Sequence, residues 1–188
     1  MKNHLFTFSF LIISIIANAQ TTSVEKSIYG IQTGFLGLYG YNETRLTNSI
    51  ALHSEIGLDA GVWGNDINDI NGFLLTPGFT IEPRWYYNLK KRTKKGRRTA
   101  NNTGNFVSIK TSYHPDWFTI SDADHINFIG DVLIIPTWGI RRHIGNHFNY
   151  EAGFGLGYGR YLVNKDDYYY GDKNVVAANL HLRIGYSF

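Results

Sequence analysis

Cysteine is absent from the 188 residues, methionine occurs once and proline four times. Without cysteine the chain has no disulfide and no cysteine for lipid anchoring, although its N-terminus points to a compartment where disulfides could form. Long apolar runs are also missing. After residue 19 no continuous apolar stretch approaches the roughly 20 residues that a membrane-spanning helix needs, which excludes helical spans. The positive charge is a local matter. Of 18 Lys and Arg, Lys2 belongs to the N-terminal segment and seven fall in one run: Lys90, Lys91, Arg92, Lys94, Lys95, Arg97 and Arg98. The remaining basic residues are outnumbered by the 15 acidic ones, so the basic pI is poor support for a nucleic-acid-binding surface.

The first residues read as an export signal. Lys2 supplies the positive start, Leu5 to Ile16 the apolar stretch, and Ala17-Asn18-Ala19 a small-x-small cleavage site. The expectation is a signal peptide over residues 1–19 and a mature chain from Gln20, since the apolar stretch is too short for a retained anchor. Residues 20–188 show no linker and are expected to form one domain.

Glycine (20), tyrosine (13) and phenylalanine (12) are abundant, which favours aromatic-rich strands over helices. Seven segments of strand character recur: Ser27 to Tyr41, Ile50 to Gly64, Phe73 to Asn88, Asn105 to Phe118, Asn127 to Arg142, Phe148 to Leu162 and Val175 to Phe188. Each has 14 to 16 residues, long against about 5 to 6 for a globular strand and suited to a tilted membrane strand of about 9 to 11 residues extended at both ends. In the last of them Leu180, Leu182, Ile184, Tyr186 and Phe188 alternate with Asn179, His181, Arg183, Gly185 and Ser187. Phe79, Ile81, Trp85 and Tyr87 likewise oppose Thr80, Glu82, Arg84 and Tyr86, and Tyr150, Phe154 and Leu156 oppose Glu151, Gly155 and Gly157. A soluble sheet hides such an apolar face and a membrane barrel shows it to lipid, so alternation alone leaves both readings open. Aromatic residues near segment ends, where an interfacial girdle would lie, favour the barrel. Pro77 and Pro83, within one long strand, are awkward for either reading.

The alternating segments, the export signal and the terminal strand closing on Phe188 resemble small outer-membrane β-barrel proteins of Gram-negative bacteria, the OmpA/OmpX-like class. The resemblance implies an all-β, antiparallel, up-and-down transmembrane barrel in the outer membrane, embedded in lipid, with Phe188 part of the signal read by the barrel-assembly machinery. Single-chain barrels of this kind have even strand numbers from eight upward, against seven legible segments. The missing strand is expected in the first segment, whose phase slips from Tyr29, Ile31 and Phe35 to Leu36 and Leu38, as a bulge would cause.

The polar parity carries Glu55, Glu82 and Glu151 together with Arg84, Lys110, Arg141 and Arg183. Counted from one end of the barrel these fall at similar depth, which predicts a charge network plugging the lumen and no general pore. The expected role is structural or a surface interaction, with no enzymatic activity and no cofactor. Two alternatives stay open: a membrane-embedded lipid-modifying hydrolase, and a soluble secreted β-barrel holding a small ligand.

Other patterns carry less. Gly153 to Gly159 (GFGLGYG) has period two and no following helix, so it lines a strand face and does not cradle phosphate. Ser112, His114 and Asp116 have triad chemistry, but side chains two apart on a strand stand roughly 7 Å from each other, too far for a nucleophile–base hydrogen bond. His143 and His147 could face each other across a turn, without a third metal ligand. The basic run is expected as a solvated loop, with an anionic envelope component as its possible partner and nucleic acid excluded by export.

Overall fold

The computed structural model describes residues 22–35, 37–63, 72–122, 128–163 and 171–188; the expected signal peptide lies outside them. Nine strands form one antiparallel sheet: β1 (Ser27–Gly34), β2 (Gly37–Arg45), β3 (Ile50–Trp63), β4 (Gly72–Trp85), β5 (Gly104–His114), β6 (Ile120–Ser121), β7 (Asp131–Ile144), β8 (Phe148–Tyr161) and β9 (Asn174–Ser187). The sheet closes on itself, because β1 pairs with β9 from Gly30↔Ser187 to Gly34↔Arg183. Since β6 continues the wall position of β5 beside β4, through Leu74↔Ser121 and Leu75↔Ile120, the barrel has eight wall positions.

The missing strand is where the phase slips, but the cause is a hairpin and not a bulge. Gly34 pairs with Gly37 across a two-residue turn, and Thr33 Oγ1 donates to the Gly37 carbonyl at 3.1 Å. Gly37 has φ 143°, which side-chain-bearing residues rarely adopt, and a Cβ there would stand 2.3 Å from the Leu58 carbonyl oxygen. One segment of 15 residues thus becomes two short strands.

Proline shapes the wall in two ways. Pro115 follows β5 directly and lacks a ladder donor, so the strand stops at His114. Pro83 and Pro136 lie on the outward parity where ladders are interrupted: the β4–β5 pairing passes from Ile81↔Thr111 to Arg84↔Ser108, and the β7–β8 pairing from Ile134↔Tyr158 to Thr137↔Gly155.

The two faces differ sharply. Outward positions include Ile31, Leu38, Ile56, Ile81, Ile109, Ile134, Phe154 and Ile184, all exposed, with Leu180 at 80% and Val176 at 84%. Among the described residues the outward strand parity carries charge only at Arg142 and Arg160, each near a strand end. Around the end where β1 begins and β9 finishes stand Tyr29, Trp85, Tyr87, Phe148, Tyr186 and Phe188, all but Tyr186 exposed. Edge-to-face pairs link Trp85 to Tyr87 at 6.1 Å and Phe148 to Tyr186 at 5.4 Å.

At that same end the basic connection between β4 and β5 is more than a solvated loop. It forms helix α1 (Leu89–Lys94) and a 3₁₀ turn (Ala100–Asn102) folded over the barrel mouth. Leu89 is buried with Val24, Ala51, Tyr86 and Phe106, and Gly139 opposite leaves the space that the Phe106 ring fills, since a Cβ there would lie 2.4 Å from that ring. Asn101 and Asn102 both have φ near +55°, a region that asparagine tolerates better than most residues. That conformation turns the Asn102 amide into the barrel. Leu89→Ala should therefore cost about 2 to 5 kcal/mol of barrel stability, measured as a lowered urea midpoint for the folded protein, by opening a cavity under the mouth.

Candidate functional site: a charged lumen beneath a cavity

Two cross-strand rows face each other inside the barrel. Glu43↔His53 and His53↔Glu82 are register partners on β2, β3 and β4. Arg141↔Glu151 and Glu151↔Arg183 are register partners on β7, β8 and β9. Inward parity puts every member in the lumen, and all six are buried. The rows then reach across. Arg84, one pleat from Glu82, grips Glu151 with both terminal nitrogens at 2.8 and 2.9 Å and holds Glu82 through Nε and Nη2 at 2.9 and 2.6 Å. Arg141 donates to Glu43 at 2.9 Å and to the Tyr41 hydroxyl at 2.5 Å. Arg183 donates to Glu55 at 2.6 Å, and His53 bridges Glu43 and Glu55 at 3.3 and 3.2 Å.

Aromatic faces support the cations. The Arg84 guanidinium lies 4.6 Å from the Phe106 ring centre, Arg141 4.9 Å from Tyr41 and Arg183 4.3 Å from Tyr39. Remaining lone pairs are filled too: Glu43 accepts from the Tyr86 hydroxyl at 2.9 Å and from Asn102 at 2.6 Å, and Glu82 accepts from Ser108 at 2.5 Å. Buried charge of this density is tolerable only when both members of each pair are present and hydrogen-bonded.

Of the residues expected in the lumen, Glu55, Glu82, Arg84, Arg141, Glu151 and Arg183 are joined by these contacts. Lys110 also points inward, yet it makes no hydrogen bond or ion pair among the described residues. Glu43 was missed because its strand was hidden. Once the chain turns after Gly34, Gly37, Tyr39, Tyr41 and Glu43 share one parity, and an acid at the fourth inward position of a strand was the available signal.

The other constellations resolve into structural contacts. Ser112 Oγ pairs with Thr80 Oγ1 at 2.8 Å, His114 is held between Asp131 at 2.6 Å and Asp59 at 3.3 Å, and Asp116 is exposed beyond the strand. His143 and His147 do not meet. His143 Nε2 lies 3.2 Å from Ser187 Oγ, and His147 Nδ1 donates to the Ser187 carbonyl at 2.9 Å while its ring stacks on Tyr186. Both therefore fasten the end of β9. Phe188 adds one backbone bond to Tyr29 at 2.9 Å, with its ring 76% exposed on the outer face. The glycines of β8 line the interior: a Cβ on Gly153 would lie 2.5 Å from the His181 ring. In the basic run Lys90, Lys91, Lys94, Lys95, Arg97 and Arg98 are exposed, whereas Arg92 is half-buried and donates to the Arg98 carbonyl at 3.0 and 3.1 Å.

No protein-family model, curated protein or solved structure matches this chain.

Above the network, in the half of the barrel away from the covered mouth, lies a cavity of about 850 Å³. Arg183 and His181 border it from below, and Lys110, Ser112, His114, Leu133 and Ile135 line its wall. The lumen thus has a closed charged half and an open half.

Replacing Arg84 by Met leaves two carboxylates, Glu82 and Glu151, without their main partner, whereas Arg183→Met strands one. We expect a loss of about 3 kcal/mol for Arg183→Met and a larger loss for Arg84→Met, read from urea unfolding of the folded barrel. Adding Glu55→Gln to Arg183→Met should recover much of the first loss, and a recovery near zero would show that the pair does not act as a unit.

Proposed function

We propose that this protein is an outer-membrane β-barrel, exported through a cleaved signal peptide, with a structural or surface-interaction role and no general pore. The observation that carries the reading is the inversion of the two faces: exposed aliphatic side chains outside and a hydrogen-bonded charge network inside. Water would have to solvate that exterior in a soluble protein, whereas a bilayer of roughly 30 Å accepts it at no cost. The eight wall positions and the aromatic ring around the covered mouth agree with this reading. The network closes one half of the lumen, so the cavity in the other half does not continue through the barrel as a general pore. The six exposed cations on the mouth-covering segment make that end a candidate contact for an anionic envelope component.

Folded protein kept unheated in SDS should migrate differently from boiled protein and should partition into lipid vesicles. A chain that stays in the aqueous phase without detergent would favour the soluble barrel. Deleting Phe188 should reduce the folded barrel recovered from outer membranes while leaving export unchanged. Changing Lys90, Lys91, Lys94, Lys95, Arg97 and Arg98 to Ser should keep the barrel folded and remove its salt-sensitive retention on anionic vesicles. Unchanged retention would assign the run no binding role.

A further inference from the structure

The β1–β9 seam is open along half its length. β8 pairs with β9 from Phe148↔Tyr186 to Arg160↔Asn174, but β1 reaches only Arg183 before the chain turns away at Phe35. On its β1 side, β9 from Asn174 to Leu182 therefore has no strand partner among the described residues. The cavity follows this gap. Its lining passes from inward residues such as Lys110 and Leu133 to the outward residues Phe35, Leu180 and Leu182, so one continuous space joins the lumen to the outer surface of the barrel.

Chemistry along that space is graded. Its outer part is aliphatic and aromatic. Its inner part combines the apolar Leu74, Leu133 and Ile135 with the amine of Lys110 and with Asp59 and Asp131, both of which are tied to His114. The carboxylates near Lys110 are each engaged elsewhere: Glu55 with Arg183 and His53, Glu82 with Arg84 and Ser108, and Asp59 with Tyr39 and His114. Among the described residues Lys110 is thus an inward-facing amine with no carboxylate at ion-pair distance, in a structure where the guanidinium of Arg84, of Arg141 and of Arg183 is each matched to a carboxylate. An unpaired enclosed charge is costly, and an incoming anion would relieve it.

We propose that this space binds a single-chain amphiphile with an anionic head, the head at Lys110 and the alkyl chain running out through the gap across Leu180 and Leu182. A volume of about 850 Å³ is within the range of small-molecule sites and suits a head and a medium-length chain. The route of access from lipid, though not the site itself, rests on the bilayer location proposed above. The head is a carboxylate or a phosphate, since Lys acts on both as a point charge.

The test is titration of the full chain, folded both in amphipol and in zwitterionic nanodiscs, with dodecanoate, dodecyl phosphate and dodecanol by isothermal calorimetry. Dodecanoate or dodecyl phosphate should bind at least about tenfold more tightly than dodecanol, the scale of one hydrogen bond to a charged group, and the tighter of the two assigns the head. Lys110→Gln should erase that difference. Leu133→Trp, which fills the space, should weaken all three probes, with heat-shifted mobility verifying the fold of each variant. Equal affinity for all three probes, or an anion preference that survives Lys110→Gln, overturns the proposal. Anion-selective binding in amphipol by a chain that fails to insert into bilayers would support the site and overturn the membrane reading instead, so the two failures are distinguishable.

Discussion

The structure depends on keeping charge inside a barrel whose surface is apolar. Arg84 is central to that arrangement: its guanidinium joins Glu82 on its own strand to Glu151 on the opposite wall, at distances of 2.6 to 2.9 Å. A carboxylate or guanidinium alone in such an interior would cost several kcal/mol, so the rows of β2–β3–β4 and β7–β8–β9 are each electrostatically incomplete without the other. Hydrophobic burial, which organises most small domains, has a minor place here. Among the described residues a buried apolar cluster joins Val24, Ala51, Tyr86, Leu89 and Phe106 under the covered mouth.

Glycine and arginine are complementary in this economy of space. A lumen of eight strands is narrow, and a long guanidinium can cross it only where the facing wall is thin. On β8 the inward parity passes from Asn149 and Glu151 to four glycines in succession, so one strand offers an ionic partner at one depth and, above it, the space that neighbouring side chains such as His181 and Leu133 occupy. The same strand carries Phe154, Leu156 and Tyr158 on the other parity, exposed along the outer wall.

Much of this was legible in the sequence, for a physical reason. Period two is imposed by the pleat, so Glu55, Glu82, Glu151, Arg84, Arg141 and Arg183 could be assigned to one face without knowing which strands adjoin. Pairing across the lumen was not legible, because it depends on closure and register. The hairpin at Phe35 was concealed by flanking apolar residues on both sides of the turn, and with it went β2 and Glu43. The mouth-covering segment was also unreadable. Its buried contacts come from Leu89 and Asn102, isolated residues in a stretch dominated by lysine and arginine, and composition alone describes such a stretch as solvated. The inward-facing Lys110 was placed correctly on its face but not in the network, since parity fixes direction and says nothing about partners.

The short seam has a kinetic meaning. Seven of the eight wall junctions join strands adjacent in the chain order, and each can zip from its own connecting turn. The junction of Gly30–Gly34 with Arg183–Ser187 joins the two extremes of the domain and can form only after the last residues exist. It has the highest sequence separation, hence the greatest loop-closure entropy to overcome, and only five residue pairs to reward it. Until then two strand edges stay unsatisfied, so the window in which this chain is vulnerable to mispairing is set by how quickly its final strand finds its first.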